Sequence, residues 1–334
     1  MSRLARPTTR PLVIAHRGAS GIVPEQTIEA FDLAVRLGAD AIELDIVPTR
    51  DGVLLARHEN ELSATTNVAN RPELASRRTA RTIEGGTVTG WFSDDFRADE
   101  IARLRARQRF PFRDHAFDDR FPVPTLDDVL RWRSSFSLNT QIFIEIKHQT
   151  YFASRGLAIP PLLTQALARH GALDRDSGIV LMSFETQVLK ELRSTTDLPL
   201  IQLLDAPDAQ PYDFTASGDP RTYADLLTVN GLTQIATYAD GIGPWKRLIV
   251  PAIGPDGDDG ASDISLAAPT SLVDDAHAAG LFVCAWTFRD DAQFLARDYA
   301  GDPAREYAQF RPLALDAFIA DFPATALAAL REET

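Results

Sequence analysis

The segment AIELDIVPTRDGVLLARH, residues 41–58, holds two apolar runs separated by a short polar turn. The runs at Ala41–Val47 and Val53–His58 have the length and β-branched content of strands. The Asp-Gly dipeptide at 51–52 is typical of the tight turn in an antiparallel hairpin. Glu43 and Asp45 in the first run fall on one face, because side chains alternate along a strand. The segment therefore predicts a hairpin whose first strand presents two carboxylates on the same side.

Similar short runs recur along the chain and alternate with helical patterns, which is typical of a parallel sheet with crossover helices. The further strand candidates are Leu12–His16, Ile142–Lys147, Ile179–Ser183, Leu200–Leu204, Asp240–Ile242, Phe282–Thr287 and Ala317–Asp321. If Val53–His58 is only the antiparallel partner of the second strand, the other candidates fit an α/β fold, the TIM (β/α)8 barrel. An open doubly wound sheet is the main alternative, but no Gly-x-Gly-x-x-Gly motif follows the first strand.

The predicted helices lie between these strands. They are Thr27–Leu37, Leu126–Ser134, Pro161–His170, Glu185–Thr195, Ser271–Ala279 and Ala292–Tyr299. Residues 59–125 break the alternation, and we interpret them as a small insertion after the hairpin that caps one barrel face, within a single domain of residues 1–334. The acidic stretch GPDGDDGASD at 254–263 lacks the spacing of a calcium-binding EF-hand loop, so we expect a solvated loop there.

The composition narrows the range of functions. The chain has 334 residues, with 47 acidic and 34 basic side chains and a formal net charge of −13. This acid excess argues against general nucleic-acid binding, which needs a basic face. No apolar run approaches the roughly 18 residues of a membrane span, and no secretory leader is evident. We therefore expect a cytoplasmic protein without stable membrane insertion, or a secreted or periplasmic one if a leader has been removed; the sequence does not predict the oligomeric state.

Charged side chains interrupt two otherwise apolar strands. Glu43 and Asp45 share a face of one strand, and Glu145 and Lys147 share a face of the other. Both faces of a barrel strand are dry, and a buried unpaired carboxylate costs several kcal/mol or takes up a proton. The acids therefore need a cation, either Lys147 or a divalent metal ion; the simpler alternative is an ion-pair network that only fixes strand register. An all-oxygen set without a thiolate suits Mg²⁺ or Ca²⁺.

Two histidines follow apolar strand runs, His16 in LVIAHRG and His58 in VLLARHEN. Taken singly, each is more often a structural residue than a catalytic one. Beside a metal site, however, two imidazoles suit phosphodiester hydrolysis, because one accepts a proton from the nucleophile while the other donates one to the leaving alkoxide. Arg17 and Lys147 would add donors to the phosphate oxygens. Trp286, on a late strand, either lines the barrel mouth or belongs to the core.

A series of short motifs follows in order along the chain. They are HRG at 16–18, PEQT at 24–27, ELD at 43–45, HE at 58–59, TTNVA at 65–69, GWFSDDF at 90–96, EIK at 145–147, SF at 183–184, YADGIGPWK at 238–246, WTFR at 286–289 and ADFP at 320–323. With these motifs the chain resembles the glycerophosphodiester phosphodiesterases, in particular a bacterial periplasmic-type and plant-like branch. The resemblance covers most of the chain.

The resemblance implies a set of roles. It implies one divalent cation, Ca²⁺ or Mg²⁺, bound by Glu43, Asp45 and Glu145. It implies that His16 and His58 are the catalytic acid and base. The substrate-binding residues that it implies are Arg17 and Lys147 at the phosphate, Glu25 near the metal or the glycerol, and Trp286.

The implied reaction is the cleavage of small glycerophosphodiesters, such as glycerophosphocholine and glycerophosphoethanolamine, to glycerol 3-phosphate and an alcohol. The nucleophile is either the glycerol 2-hydroxyl, through a cyclic phosphate, or water. Two alternatives are phospholipase D-like cleavage of lysophospholipids or sphingomyelin, disfavoured by the polar insertion, and a non-catalytic polyol-phosphate binding protein. Three residues depart from the usual motifs of the family: Gln26 for Asn, Glu59 for Asp and Ala320 for Thr.

Overall fold

The strands can be traced in a computed structural model, which describes residues 4, 6, 7, 9–135, 140–253 and 264–331. The predicted acidic loop at 254–263 lies outside the described residues. Within them the strands are β1 (Leu12–Ala15), β2 (Ala41–Pro48), β3 (Leu54–Ala56), β4 (Thr79–Ile83), β5 (Gly86–Gly90), β6 (Gln141–Ile146), β7 (Ile179–Ser183), β8 (Leu200–Leu204), β9 (Gly241–Pro244), β10 (Ala252–Ile253), β11 (Ser265–Leu266), β12 (Phe282–Phe288) and β13 (Ala317–Ala320).

Eight parallel strands of this described part form a closed barrel. Their order is β1-β13-β12-β9-β8-β7-β6-β2, and β2 pairs back onto β1 through Ile14↔Ala41 and Ala15↔Ile42. β3 lies outside this count because it pairs antiparallel with β2, with Val47 opposite Leu55. The predicted hairpin and the predicted TIM (β/α)8 barrel are therefore both confirmed.

The α-helices of the described residues pack around the barrel or in its loops. They are α1 (Ile28–Arg36), α2 (Ala98–Ile101), α3 (Leu126–Ser134), α4 (Gln149–Ser154), α5 (Ile159–Arg169), α6 (Thr186–Thr195), α7 (Tyr212–Ser217), α8 (Tyr223–Leu226), α9 (Val229–Ile235), α10 (Lys246–Ile249), α11 (Leu272–Ala278), α12 (Pro303–Phe310) and α13 (Pro323–Leu330). The side chain of Thr27 caps α1 by accepting a hydrogen bond from the Ala30 amide at 3.1 Å.

The predicted helix at Ala292–Tyr299 is wrong. That segment forms two short 3₁₀ turns, Ala292–Phe294 and Arg297–Tyr299, and the regular helix of this region is α12. α12 begins where Asp302 caps the Ala304 amide at 3.0 Å and Pro303 occupies the first turn, a start signal that the sequence analysis did not use.

The alternation of side chains along the strands fills the barrel interior in layers. Ala41 and Phe143 belong to the apolar cluster contributed by alternate residues of the barrel strands, together with Ile14, Ile201 and Ile319. Because Glu43 and Asp45 follow Ala41 at steps of two, and Glu145 follows Phe143, the same parity carries all three acids into the barrel. The apolar layer thus forms a dry floor beneath the carboxyl ends of the strands.

The chain between β3 and α3 lies outside the barrel. It contains the antiparallel hairpin β4–β5, the short helix α2 and several 3₁₀ turns. Single bridges join Glu61 to Phe92 and Arg105 to Pro122. At the hairpin tip Glu84 reaches His148, just after β6, at 2.6 Å. That residues 59–125 are an insertion within one domain stays a prediction. No helix in the described segments is long and apolar enough to span a membrane.

Gly18 sets how closely α1 approaches the end of β1. Its φ is +82°, and a Cβ there would lie 2.6 Å from the backbone carbon of Ala30. Gly85, with the same φ, has nothing within 4 Å of the equivalent position. Because left-handed strain alone costs about 1–2 kcal/mol and overpacking adds about 1–3, we expect Gly18→Ala to lower the free energy of unfolding by about 2–5 kcal/mol and Gly85→Ala by about 1–2.

Urea denaturation of the two variants beside the wild type measures this difference. Equal losses would contradict the close approach of α1, since only the shared backbone strain would then be felt.

Candidate active site

Three buried carboxylates meet inside the barrel near the carboxyl ends of two neighbouring strands. Asp45 on β2 lies directly opposite Glu145 on β6 in the parallel register. Glu43 precedes Asp45 by two residues and points the same way. One oxygen from each of the three lies within 4.8 Å of the other two. The strand pairing β2–β6, fixed by apolar neighbours on both faces, therefore brings the predicted acids together.

The cations around this carboxylate cluster do not fully neutralise it. The Lys147 ammonium lies 2.6 Å from Glu145 Oε1 and 3.4 Å from Asp45 Oδ1. The Arg17 guanidinium lies 3.2 Å from Asp45 Oδ2, but it also donates to Glu25 at 3.0 Å. With Arg109 also 3.8 Å from Glu25, four ionised carboxylates would share three cations, and a dication would offset the remaining negative charge.

Two buried oxygens of the cluster, Asp45 Oδ1 and Glu145 Oε1, face the same Lys147 ammonium at 3.4 and 2.6 Å. Opposite ligands of a Ca²⁺ ion at about 2.4 Å are about 4.8 Å apart, so oxygens at this spacing can reach one ion. A hard, oxygen-only donor set suits Ca²⁺ or Mg²⁺. The residues present therefore fit a divalent cation.

Burial is the largest single influence on the pKa of each of these acids. It raises the pKa of Glu145 to about 8, and it raises the pKa of Glu43 well above its usual value with a further contribution from the charge of Asp45. Burial also acts on Asp45, but Lys147, His58 and Arg17 outweigh it and hold its pKa below the usual range. A cation at the cluster would replace the protons that Glu43 and Glu145 otherwise hold.

His16 follows β1 and is held by a carboxylate from the last strand of the barrel. Its Nδ1 lies 2.6 Å from Asp321 Oδ1, just after β13. Asp321 Oδ2 in turn accepts from Arg113 Nη2 at 2.6 Å and from Arg289 Nε at 3.3 Å. Burial, then the charge of Arg17, lowers the pKa of His16 to about 4. At neutral pH the imidazole is therefore uncharged, with Nδ1 engaged and Nε2 as the remaining ring nitrogen.

His58 has an equivalent arrangement at the end of the hairpin. Its Nδ1 lies 2.6 Å from Glu59 Oε1, and Glu59 is within 3.5 Å of Arg109 Nη2. Burial lowers the pKa of His58 well below its ordinary value, with added repulsion from Arg17 and Lys147. Both imidazoles are close enough to Asp45 to contribute to its lowered pKa. The site thus offers two neutral imidazoles, each positioned by its own acid.

A cavity of about 570 Å³ opens over the carboxylate cluster at this end of the barrel. Of the predicted site residues, it is lined by His16, Arg17, Glu25, Glu43, His58, Glu145, Lys147 and Trp286. Asp45 is fully buried and does not line the cavity. The indole Nε1 of Trp286 donates to the Gly243 carbonyl at 2.7 Å, so its ring is held at the wall. The structure therefore brings together all nine residues that the sequence singled out.

Other residues of the site carried little or no sequence signal. Gln26, where the family usually has Asn, donates to Asp45 Oδ2 at 2.5 Å and has a φ of +60°. Arg109 and Arg113 come from the irregular stretch between β5 and α3, where no helical or strand periodicity predicts the direction of a side chain. Asp321 lies in the ADFP motif, which was quoted without a role for its acid. For Asp321 the motif was the available signal; for the arginines there was none.

Fold and site together define a class of protein. A (β/α)8 barrel carries, at the carboxyl end of its strands, buried carboxylates, two neutral imidazoles and a set of arginine and lysine side chains around one cavity. This is the arrangement of a barrel hydrolase that acts on an anionic substrate.

Comparisons with known proteins identify the family. The model of the glycerophosphoryl diester phosphodiesterase family matches residues 16–325. Glycerophosphodiester phosphodiesterase GDPD6 of Arabidopsis thaliana is 33% identical over 328 residues, covering 94% of this chain and 84% of that protein. The chain belongs to the glycerophosphoryl diester phosphodiesterase family, and it is accordingly an enzyme, a phosphoric diester hydrolase, rather than a binding protein without turnover.

Solved structures agree on the fold. A phosphodiesterase of this kind from Silicibacter pomeroyi superposes with a TM-score of 0.68 at 23% identity, covering 97% of this chain and 94% of its own. An Oleispira antarctica phosphodiesterase, solved in complex with the product sn-glycerol-3-phosphate, superposes with a TM-score of 0.61 at 19% identity, covering 96% of both chains.

The lowered pKa of His16 can be measured directly. We expect its ring signals in an NMR titration to move near pH 4, whereas exposed His115, whose pKa is raised by its hydrogen bond to Asp118, titrates above the ordinary 6.5. Between these values the unfolded chain binds a proton at His16 that the folded chain does not, so this residue costs stability as the pH falls from about 6.5 to about 4. The bond to Asp321 raises the pKa of His16, so Asp321→Asn should lower it further. A His16 that titrates at 6.5 or above would contradict the buried site.

Proposed function

We propose that the chain hydrolyses glycerophosphodiesters to glycerol 3-phosphate and an alcohol, with His16 and His58 as acid and base beside one divalent cation. One observation carries the proposal: a cluster of three buried carboxylates, two of which line the cavity, lies beside two neutral imidazoles that are each bonded to an acid. Family membership supplies the reaction class, and the relatives' names supply the substrate class. The cavity, about 570 Å³, is of a size for a small diester.

Glu43, Asp45 and Glu145 would hold the cation. When bound, it would neutralise charge on the phosphate oxygens as the transition state forms. The sequence and the donor chemistry favour Ca²⁺ or Mg²⁺. Lys147 and Arg17 reach the same region, so each would add a charge-assisted hydrogen bond to the phosphate.

The two imidazoles divide the proton transfers. With Nδ1 bonded to an acid, each presents Nε2 to the reacting groups; one accepts the proton of the nucleophile, and the other, which takes up a proton from solvent when the anionic diester binds, donates that proton to the leaving oxygen. Asp321 and Glu59 stabilise the imidazolium that forms in each case. The nucleophile is either the 2-hydroxyl of the glycerol or a water molecule, and trapping a cyclic phosphate during turnover would identify the first.

A second candidate activity is the cleavage of acylated substrates such as lysophospholipids. The insertion was predicted to be polar, but Phe110 and Phe112 stack at 5.3 Å and both meet Phe294 edge-on at 5.2 and 5.9 Å. Phe110 lines the cavity and Phe112 is 43% exposed, so an apolar surface adjoins the mouth. Assays of glycerophosphocholine beside lysophosphatidylcholine separate the two activities, and a preference for the acylated compound would favour the second.

Loss of either histidine tests the acid–base assignment. We expect His16→Ala or His58→Ala to lower kcat for glycerophosphocholine by about 10²–10⁴-fold, because general acid–base help of this size is lost. His115→Ala, at an exposed position outside the cavity, is the matched control and should leave kcat unchanged. Wild-type turnover in His16→Ala would refute the assigned role.

Metal removal tests the role of the carboxylates. We expect EDTA treatment followed by dialysis to abolish hydrolysis, and Ca²⁺ or Mg²⁺ to restore it, because the buried acids and the phosphate would otherwise repel each other. Elemental analysis should find one divalent ion per active chain and less than one in Glu145→Gln. Full activity in a preparation free of metal would overturn this part of the proposal.

A further inference from the structure

One wall of the cavity, formed by residues of β12, of α8 and of the segment after β7, is aromatic. Phe184, after β7, meets Trp286 of β12 edge to face, with ring centroids 5.5 Å apart at 90°. On its other side Phe184 meets Tyr223 of α8 at 6.4 Å and 82°. Tyr212 of α7 lines the same cavity. The three rings are therefore held nearly at right angles to their neighbours, so their faces point in different directions.

Two acidic side chains lie at this aromatic wall. Asp205, after β8, is half-buried and lines the cavity, and so does Glu185, next to Phe184. The carboxylate of Glu185 is fixed in place, since it accepts from the Thr150 amide at 3.0 and 3.1 Å. Burial raises the pKa of Glu185 to about 7, which a neighbouring cation would lower again.

Three arginines also line the cavity. Arg17 follows β1, Arg109 comes from the stretch after β5, and Arg289 follows β12 and lies 3.3 Å from Asp321, the partner of His16. Lys147, on the strand of Glu145, stands between the two sides: its ammonium is 2.6 Å from Glu145 and 5.3 Å from the centre of the Phe184 ring. Each of these arginines lies beside an acid that also lines the cavity, Glu25 for Arg17, Glu59 for Arg109 and Asp321 for Arg289. The arginine-bearing side is thus balanced in charge, whereas the aromatic side carries the carboxylates of Glu185 and Asp205.

This asymmetry orients a diester whose phosphorus lies at the carboxylate cluster. One substituent of the phosphate extends toward Glu25 and Arg109, where hydroxyl groups find both acceptors and donors. The other extends toward Phe184, Trp286 and Asp205. A positively charged substituent is stabilised on this second wall by ring faces and by carboxylates together.

We propose that Phe184, Trp286, Tyr223, Asp205 and Glu185 form the leaving-alcohol site and select a head group that carries an ammonium, quaternary or primary, over a neutral polyol. The inference rests on the proposed function for the position of the phosphate. It adds to that function which leaving alcohol is preferred and which residues recognise the charge of that alcohol.

Steady-state kinetics with two diesters, one with a cationic and one with a neutral head group, test the site. We expect kcat/KM for glycerophosphocholine to exceed that for glycerophosphoglycerol by about tenfold or more in the wild type. Asp205→Asn should reduce that ratio about tenfold, chiefly by lowering kcat/KM for the cationic substrate. Asp208→Asn removes the same charge three residues away at an exposed position outside the cavity and should leave the ratio unchanged.

A binding measurement separates charge recognition from turnover. Choline and its uncharged isostere 3,3-dimethylbutan-1-ol are titrated against the wild type, with Trp fluorescence or calorimetry as readout. We expect choline to bind at least about tenfold more tightly, and Phe184→Leu, which keeps apolar bulk but removes the ring, to weaken choline selectively. If Asp205→Asn does not fold, the Phe184→Leu variant still tests the site.

The outcomes distinguish the two proposals. Absence of hydrolysis of either diester would overturn the proposed function, and the choline titration would then decide the cation site by itself. Normal turnover with equal kcat/KM for both diesters, or equal binding of choline and its isostere, would overturn the head-group inference and leave the proposed function standing.

Discussion

The central constraint on this molecule is the cost of placing three carboxylates inside a dry barrel. Glu43, Asp45 and Glu145 are each at most 7% exposed, and they stand on a floor of buried apolar side chains. Burial and repulsion from Asp45 raise the pKa values of Glu43 and Glu145, whereas the charges of Lys147, His58 and Arg17 hold the pKa of Asp45 below its usual range. Arrangements of this kind persist only when opposite charge is built around them.

Much of the surrounding structure follows from that need. The Arg17 amide donates to Glu43 at 2.8 Å while its guanidinium lies between Asp45 and Glu25, which requires a left-handed backbone with a φ of +55°. Gln26 and His148, likewise non-glycine residues at positive φ, lie beside the same site. Such conformations cost of order 1–3 kcal/mol and are kept where the surroundings hold them. The apolar core of the barrel therefore supports a strained and incompletely neutralised polar centre.

The sequence predicted the barrel and the main site residues because both depend on short-range parity. Steps of two along β2 and β6 place the acids on one face, and the Asp-Gly turn removes β3 from the parallel count. The resemblance then added roles that parity cannot supply. Asp321 and Arg113 could not be assigned in this way, because the network His16–Asp321–Arg113 joins residues up to 305 positions apart through the closure of β1 on β13. The segment at 292–299 was mistaken for a helix because its apolar spacing is helical while its backbone turns are 3₁₀.

The account as a whole depends on the carboxylate cluster being a cation site and not a closed ion-pair network with Lys147. Crystals grown with Mn²⁺, an ion that also prefers oxygen ligands, allow the ion to be located by its anomalous scattering. We predict one strong peak per chain, within about 2.4 Å of an oxygen from each of Glu43, Asp45 and Glu145. A map without a peak there, with Lys147 still bridging Asp45 and Glu145, would contradict it.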